Sequence, residues 1–197
     1  MIEPLLEELL TTFAKGGFVS PPLIGATLAL WYALGYRWLA LRRGRTEPLR
    51  ELVSLAWQDQ LGEARGIIDR AVAIGVQRAR EGHKHLQHQL DEVFAPLELE
   101  LTHYATLIKV TVALAPLAGL LGTVIGMIET FDSLASMALY SRSGGIAGGV
   151  AQALFTTQLG LAVAIPGLIL GRLLAARQRR LNTELDELRE LLCGGVA

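Results

Sequence analysis

Three stretches of this sequence carry no charge, and the charged residues crowd between them. They run from Gly16 to Tyr36, from Val110 to Ile128 and from Ser143 to Gly171. About 20 apolar residues in a helix cross the hydrocarbon of a bilayer, so each stretch predicts a membrane-spanning helix. Arg37, Arg42, Arg43 and Arg45 follow the first directly, and Arg172, Arg177, Arg179 and Arg180 follow the third. Lys109 and Glu129 bound the second. Trp31, Tyr32, Tyr36 and Trp38 give the end of the first span an aromatic belt.

The intervening segments have a helical period. Ile2, Leu5, Leu6, Leu9, Leu10 and Phe13 fall on one face, with Glu3, Glu7 and Glu8 elsewhere. That predicts an amphipathic helix lying in the membrane interface. Its acidic start is unlike the basic start of a signal peptide. Residues 46–104 are polar, with Leu49, Leu52, Val53, Ile67, Ile68 and Val72 at helical intervals. They predict helices broken near Gly62 and Gly82, with a turn or kink at Pro96. Leu181, Leu185, Leu188 and Leu192 form a 4-3-4 seam among arginines and glutamates. The seam predicts that the third span continues as a helix with a coiled-coil-like edge, packed against the 46–104 helices or a neighbouring subunit.

The expected fold is an all-α membrane protein with three transmembrane helices, two of them extended into a cytoplasmic helical bundle. Its segments are an interfacial helix at 1–15, a first span at 16–41 and a helical region at 42–105. A second span at 106–131, a loop at 132–143, a third span at 144–171 and a C-terminal helix at 172–197 follow. Arginines cluster after the first and third spans, while the loop between the second and third carries only Asp132 and Arg142. The positive-inside rule places the N-terminus and the 132–143 loop outside, and residues 37–109 and the C-terminus inside.

Composition removes several functions. A formal net charge of −1 gives no global support for nucleic-acid binding. The single cysteine, Cys193, makes no internal disulfide. His83, His85 and His88 lack acidic or cysteine partners at ligand spacing and read as a solvated helix face. No catalytic constellation is legible, and neither an enzyme activity nor a cofactor or metal is expected.

Polar groups inside a span are costly, so each is a functional candidate. They are Thr111, Thr123 and, at the margin, Glu129 in the second span, and Gln152, Thr156, Thr157 and Gln158 in the third. At about 1.5 Å per residue, Thr123 lies roughly 21 Å past Lys109 and Thr157 roughly 22 Å before Arg172. Antiparallel helices would bring the two threonines to one level, where hydroxyls could line a polar passage. Alternatively, each hydroxyl bonds a carbonyl of its own helix. Glu129 and Gln152 both sit roughly 30 Å from the basic ends. Glu129 is rotated about 120° from the face of Thr123, which makes it a weak pathway candidate and an interfacial glutamate by default. Gly119, Gly122 and Gly126, with Gly144, Gly145, Gly148, Gly149 and Gly160, predict close helix packing.

The stretch Ala115-Pro-Leu-Ala-Gly-Leu-Leu-Gly-Thr-Val-Ile-Gly-Met-Ile-Glu-Thr-Phe131 resembles the second-span signature of the MotA/TolQ/ExbB proton channel family. Gly148-Gly-Val-Ala-Gln-Ala-Leu-Phe-Thr-Thr-Gln-Leu-Gly-Leu-Ala-Val-Ala-Ile-Pro166 resembles its third-span signature. The likeness is strongest to the ExbB/TolQ branch. It implies a homopentamer around two copies of an ExbD- or TolR-like single-span subunit, which contributes the titrating aspartate. Work would pass to a TonB- or TolA-like protein. The resemblance places Thr123 and Thr157 on the family's two pore threonines and adds Pro166 to the packing positions. Gln152 stands where familiar members carry a glutamate, and a glutamine cannot titrate. A flagellar- or gliding-type stator and a non-conducting membrane scaffold remain alternatives.

Overall fold

The computed structural model describes residues 17–81, 86–137 and 144–194. After a short 3-10 turn at Gly17–Val19 come six α-helices: α1 Ser20–Ala40, α2 Leu49–Trp57, α3 Ile67–Arg80, α4 Leu86–Thr102, α5 Ala105–Met137 and α6 Gly144–Cys193. No strand occurs among the described residues. Three helical runs are long and apolar enough to cross a membrane. The interfacial helix expected at 1–15 and the histidines His83 and His85 lie outside the described residues.

Packing divides the described residues into two units: those within 17–33 and 107–170, and those within 34–106 and 171–194. In the first unit α5 and α6 run antiparallel along a seam of small residues. A Cβ at Gly126 would lie 2.7 Å from the Gly149 carbonyl oxygen, and one at Gly160 2.6 Å from the Ala115 carbonyl oxygen. No side chain fits at either point, so the backbones approach as closely as glycine permits. Leu30 of α1 and Val112 of α5 close over Gly167 of α6. The outer faces are the reverse of a soluble core: Leu114, Leu117, Leu121, Ile128 and Ile169 are all exposed. Hydrocarbon solvates such surfaces as water does not.

The second unit is built as a water-soluble protein is built. Leu52, Ile68, Val72, Leu90, Phe94, Leu101, Leu185 and Leu188 are buried, and each such burial stabilises by about 1.5–3 kcal/mol. The four leucines of the 181–192 seam are all buried. Leu192 and Phe94 meet over Gly75 of α3, so the seam packs within the chain. Ion pairs rim it: Arg43 to Glu184 at 2.7 Å, Arg70 to Glu100 at 2.7 Å, and Arg189 with Asp91, Glu98 and Asp186.

Two boundaries differ from expectation. α4 continues through Pro96. The proline removes one helical hydrogen bond, yet Phe94, Leu97 and Leu101 around it are buried, and that packing holds the helix. The break comes instead at His103–Tyr104, where Tyr104 takes φ 58°. α5 runs to Met137, so residues 132–137, read as loop, are helical. Gly62, by contrast, takes φ +63° in the non-helical segment between α2 and α3.

Candidate functional site

The seam fixes the register of α5 against α6. Gly122 lies against the Thr156 side chain, Gly119 against Thr156 and Thr157, and Gly149 against Thr130 and Gly126. Thr123 follows Gly122 and Thr157 follows Thr156, so these two threonines stand at one level. Each successive residue turns a helix by about 100°. In an antiparallel pair, that step carries the next residue of both helices to the same side of the seam. Thr123 and Thr157 therefore share one face of the pair.

Leu120, Met127 and Phe131 of α5 share that face, with Leu154, Leu161 and Leu168 of α6, and all six are exposed; Leu154 is 69% accessible. The two half-buried threonines are the polar positions in the middle of an uncovered apolar surface. Their hydroxyls donate to their own helices: Thr123 Oγ1 to the Leu120 carbonyl at 2.6 Å, and Thr157 Oγ1 to the Ala153 carbonyl at 3.3 Å. Each oxygen keeps its capacity to accept a hydrogen bond.

Thr156 does not join them. It is fully buried in the seam, with Oγ1 3.1 Å from the Gln152 carbonyl and 3.0 Å from that of Ala153. Thr130 is its counterpart nearer the far end, buried and bonded to the Gly126 carbonyl at 2.8 Å. The sequence reading missed Thr130, although its spacing from Gly126 continues the small-residue row.

Glu129 and Gln152 fall one residue before seam positions, which carries them to the side opposite Thr123 and Thr157. There Gln152 Nε2 donates to Glu129 Oε1 at 3.2 Å. The residues singled out from sequence thus separate into three places: a threonine face, a buried seam and a Glu129–Gln152 pair. Gly119, Gly122, Gly126, Gly149 and Gly160 all lie at close approaches, whereas Gly148 has open space where its side chain would be. Pro166 lies inside α6. Gln158 is exposed and Thr111 buried. His88 lies on α4, and among the described residues no three His, Cys, Asp or Glu side chains could hold a metal ion.

Two polar sites in the second unit were not anticipated. Arg37 is buried, and its guanidinium donates to the His103 carbonyl at 3.1 Å and to Gln178 Oε1 at 2.8 Å. It serves carbonyl groups left without helical partners where α4 ends. Tyr36 and Tyr104 pack edge to face beside it, with centroids 5.2 Å apart. Asp69, fully buried, accepts the backbone N–H groups of Arg65 at 3.0 Å and Arg45 at 3.2 Å. It ties the segment after α1 to the start of α3.

The model of the MotA/TolQ/ExbB proton channel family matches residues 63–187 of this chain. A biopolymer transport protein of Synechocystis, named ExbB-like 1, is 35% identical over 185 residues, covering 87% of this chain and 72% of that protein. The biopolymer transport protein ExbB of Aquifex aeolicus is 37% identical over 112 residues, 55% of this chain and 72% of its own. A second Synechocystis protein, ExbB-like 3, is 29% identical over 170 residues, 78% of this chain and 79% of that one.

Proposed function

This chain belongs to the MotA/TolQ/ExbB proton channel family and is a multi-pass membrane protein, and from that premise we propose that it is the proton-channel subunit of a bacterial inner-membrane motor driven by the proton motive force. It would work with an ExbD- or TolR-like single-span subunit and energise a TonB- or TolA-like protein for outer-membrane transport or maintenance. The N-terminus lies in the periplasm and the arginine-rich ends in the cytoplasm. Five copies close a ring, and two partner helices fill it.

The observation that carries this reading is the threonine face. Leu120, Met127, Phe131, Leu154, Leu161 and Leu168 exposed in water would be a liability; a strip of exposed apolar side chains with two hydroxyls at one level suits a ring lumen occupied by apolar helices. The hydroxyl oxygens of Thr123 and Thr157 already donate to their own helices and retain acceptor capacity. They can receive the O–H of a protonated carboxyl group from a partner helix. A carboxylate would gain a donor there only by drawing the hydroxyl proton away from the helix carbonyl it now serves, so the face favours the neutral acid at mid-depth and leaves ionisation to the aqueous ends. Proton movement is then coupled to rotation or displacement of the partner helices against this face.

The test is proton flux into vesicles holding this chain with its single-span partner, read by a pH-sensitive dye. Flux that depends on the partner's aspartate and on Thr123 and Thr157 supports the reading. A correctly assembled complex that passes no protons under an imposed potential would return the chain to a non-conducting scaffold.

A further inference from the structure

Five arginines converge on a cavity of about 520 Å³ in the second unit: Arg42, Arg43, Arg65, Arg177 and Arg180, with Glu184 the one carboxylate in its lining. Glu184 is already held by Arg43 at 2.7 Å, and Arg43 also donates to the Arg45 and Glu47 carbonyls. Among the described residues, Arg42, Arg65 and Arg180 have no ion-pair partner. The guanidinium of Arg177 lies 4.4 Å from the Trp38 ring centroid, a stacked arrangement that leaves its N–H edges available.

The scaffold of this cavity is fixed although its charges are not. The Arg42 carbonyl accepts the Ile67 N–H at 3.0 Å, and the Arg65 N–H donates to buried Asp69 at 3.0 Å. Unpartnered cations on a fixed backbone repel one another, and an anion in the cavity relieves that repulsion. Arginine's planar fork suits phosphate oxygens in particular.

Its depth says which anions are at hand. Along α6, Arg177 and Arg180 follow the charge-free run ending at Gly171 by about 9 and 14 Å. Arg42 comes just after the end of α1 at Ala40, and Trp38 on that helix is the kind of residue that sits at headgroup level. Long arginine side chains reach back toward that level. Basic pockets beside membrane helices are the known setting for anionic lipid headgroups.

We propose that this cavity binds the phosphate of an anionic phospholipid headgroup. The proposal rests on the membrane-spanning character of the chain and not on proton conduction. It is tested by native mass spectrometry of the detergent-purified full chain given phosphatidylglycerol, phosphatidylcholine, glycerol 3-phosphate or inorganic phosphate. The parent should retain phosphatidylglycerol in preference to phosphatidylcholine. The triple variant Arg42→Gln, Arg65→Gln, Arg180→Gln should lose that retention by about tenfold or more, and the corresponding triple lysine variant should recover most of it. If the glutamine form does not assemble, each single glutamine change should still lower retention about threefold. Equal retention by parent and glutamine variants, or a parent without headgroup preference, overturns the site. Displacement of the lipid by millimolar inorganic phosphate or glycerol 3-phosphate overturns the lipid as its source and leaves a soluble phosphate compound in its place.

Discussion

The two units solve opposite solvent problems with the same helix. In the first, small residues and buried hydroxyls face inward and leucines face outward: Gly122, Gly126, Thr130, Gly149 and Thr156 meet along the seam while Leu120, Leu154 and Leu161 are uncovered. In the second, Phe94, Leu185 and Leu188 are buried and the ion pairs of Arg43, Arg70 and Arg189 lie around them. The difference shows where each draws its stability. Apolar burial holds the second unit together, because water surrounds it. The first gains little from burying a leucine that lipid solvates equally well, and depends on close backbone approach.

The sharpest way to break this contrast is at the seam. Gly126→Val places a branched side chain where a Cβ alone would lie 2.7 Å from the Gly149 carbonyl. No rotamer avoids backbone, so the α5–α6 pair must part, and the expected result is loss of assembled protein from the membrane fraction. Gly148→Ala, in open space, should leave its amount unchanged. Normal assembly of Gly126→Val would show that the seam is not the source of stability.

The next effect separates function from assembly. Thr123→Val and Thr157→Val keep side-chain shape and remove the hydroxyls. Each loses only a bond to its own helix, so the complex should assemble. Proton-driven dye response should fall by at least tenfold in the double variant, which amounts to about 1.4 kcal/mol or more on the barrier. Activity equal to the parent would make these hydroxyls ordinary helix-bonded threonines.

A third comparison uses one substitution in both settings. Leu185→Ala, fully buried among α6 and its neighbours, should cost about 2–5 kcal/mol in unfolding of the second unit. Leu154→Ala, on the uncovered face, should cost close to nothing in the isolated chain and should lower stability once the single-span partner is bound. Thermal unfolding in detergent, with and without that partner, reads both. A large loss at Leu154 in the isolated chain would mean the face is already covered by neighbouring copies of the same chain.

Much of this was legible in the sequence, for physical reasons that vary by residue. Hydrocarbon excludes charge, so the three spans stood out as charge-free runs and their helices follow those runs. Distance along a helix is linear in sequence, so the common level of Thr123 and Thr157 could be computed from Lys109 and Arg172. The leucine seam at 181–192 showed in its spacing because burial follows helical period. What stayed hidden depends on register between elements. Nothing local to Arg37 announces that it serves the end of α4, and Tyr104 carries no glycine to mark the break. Asp69 reads as a surface acid until the segment after α1 folds over it. Local propensity favours a turn or kink at Pro96, and of the two the turn does not form, because the buried residues around it hold the helix.

The smallest expected effect lies on the other side of the helix pair. The rotation of Glu129 away from Thr123 was predictable, but its meeting with Gln152 needed the seam register. Gln152 Nε2 donates to Glu129 Oε1 at 3.2 Å, so an acidic side chain does stand beside position 152, where glutamine itself cannot titrate. It stands apart from the threonine face, and a proton held there would still have to cross to the other side of two packed helices. The simpler role is structural: an interfacial glutamate fixed by one hydrogen bond. Glu129→Gln tests this cleanly, because glutamine keeps the shape and an Oε1 that accepts the same bond from Gln152. Assembly should be unchanged and most proton flux retained, while neutralising the partner's aspartate should abolish flux. If Glu129→Gln alone abolishes flux in fully assembled complexes, this chain carries its own proton-binding group. The pathway would then run on the face opposite Thr123 and Thr157, and the division of labour between the two faces would be reversed.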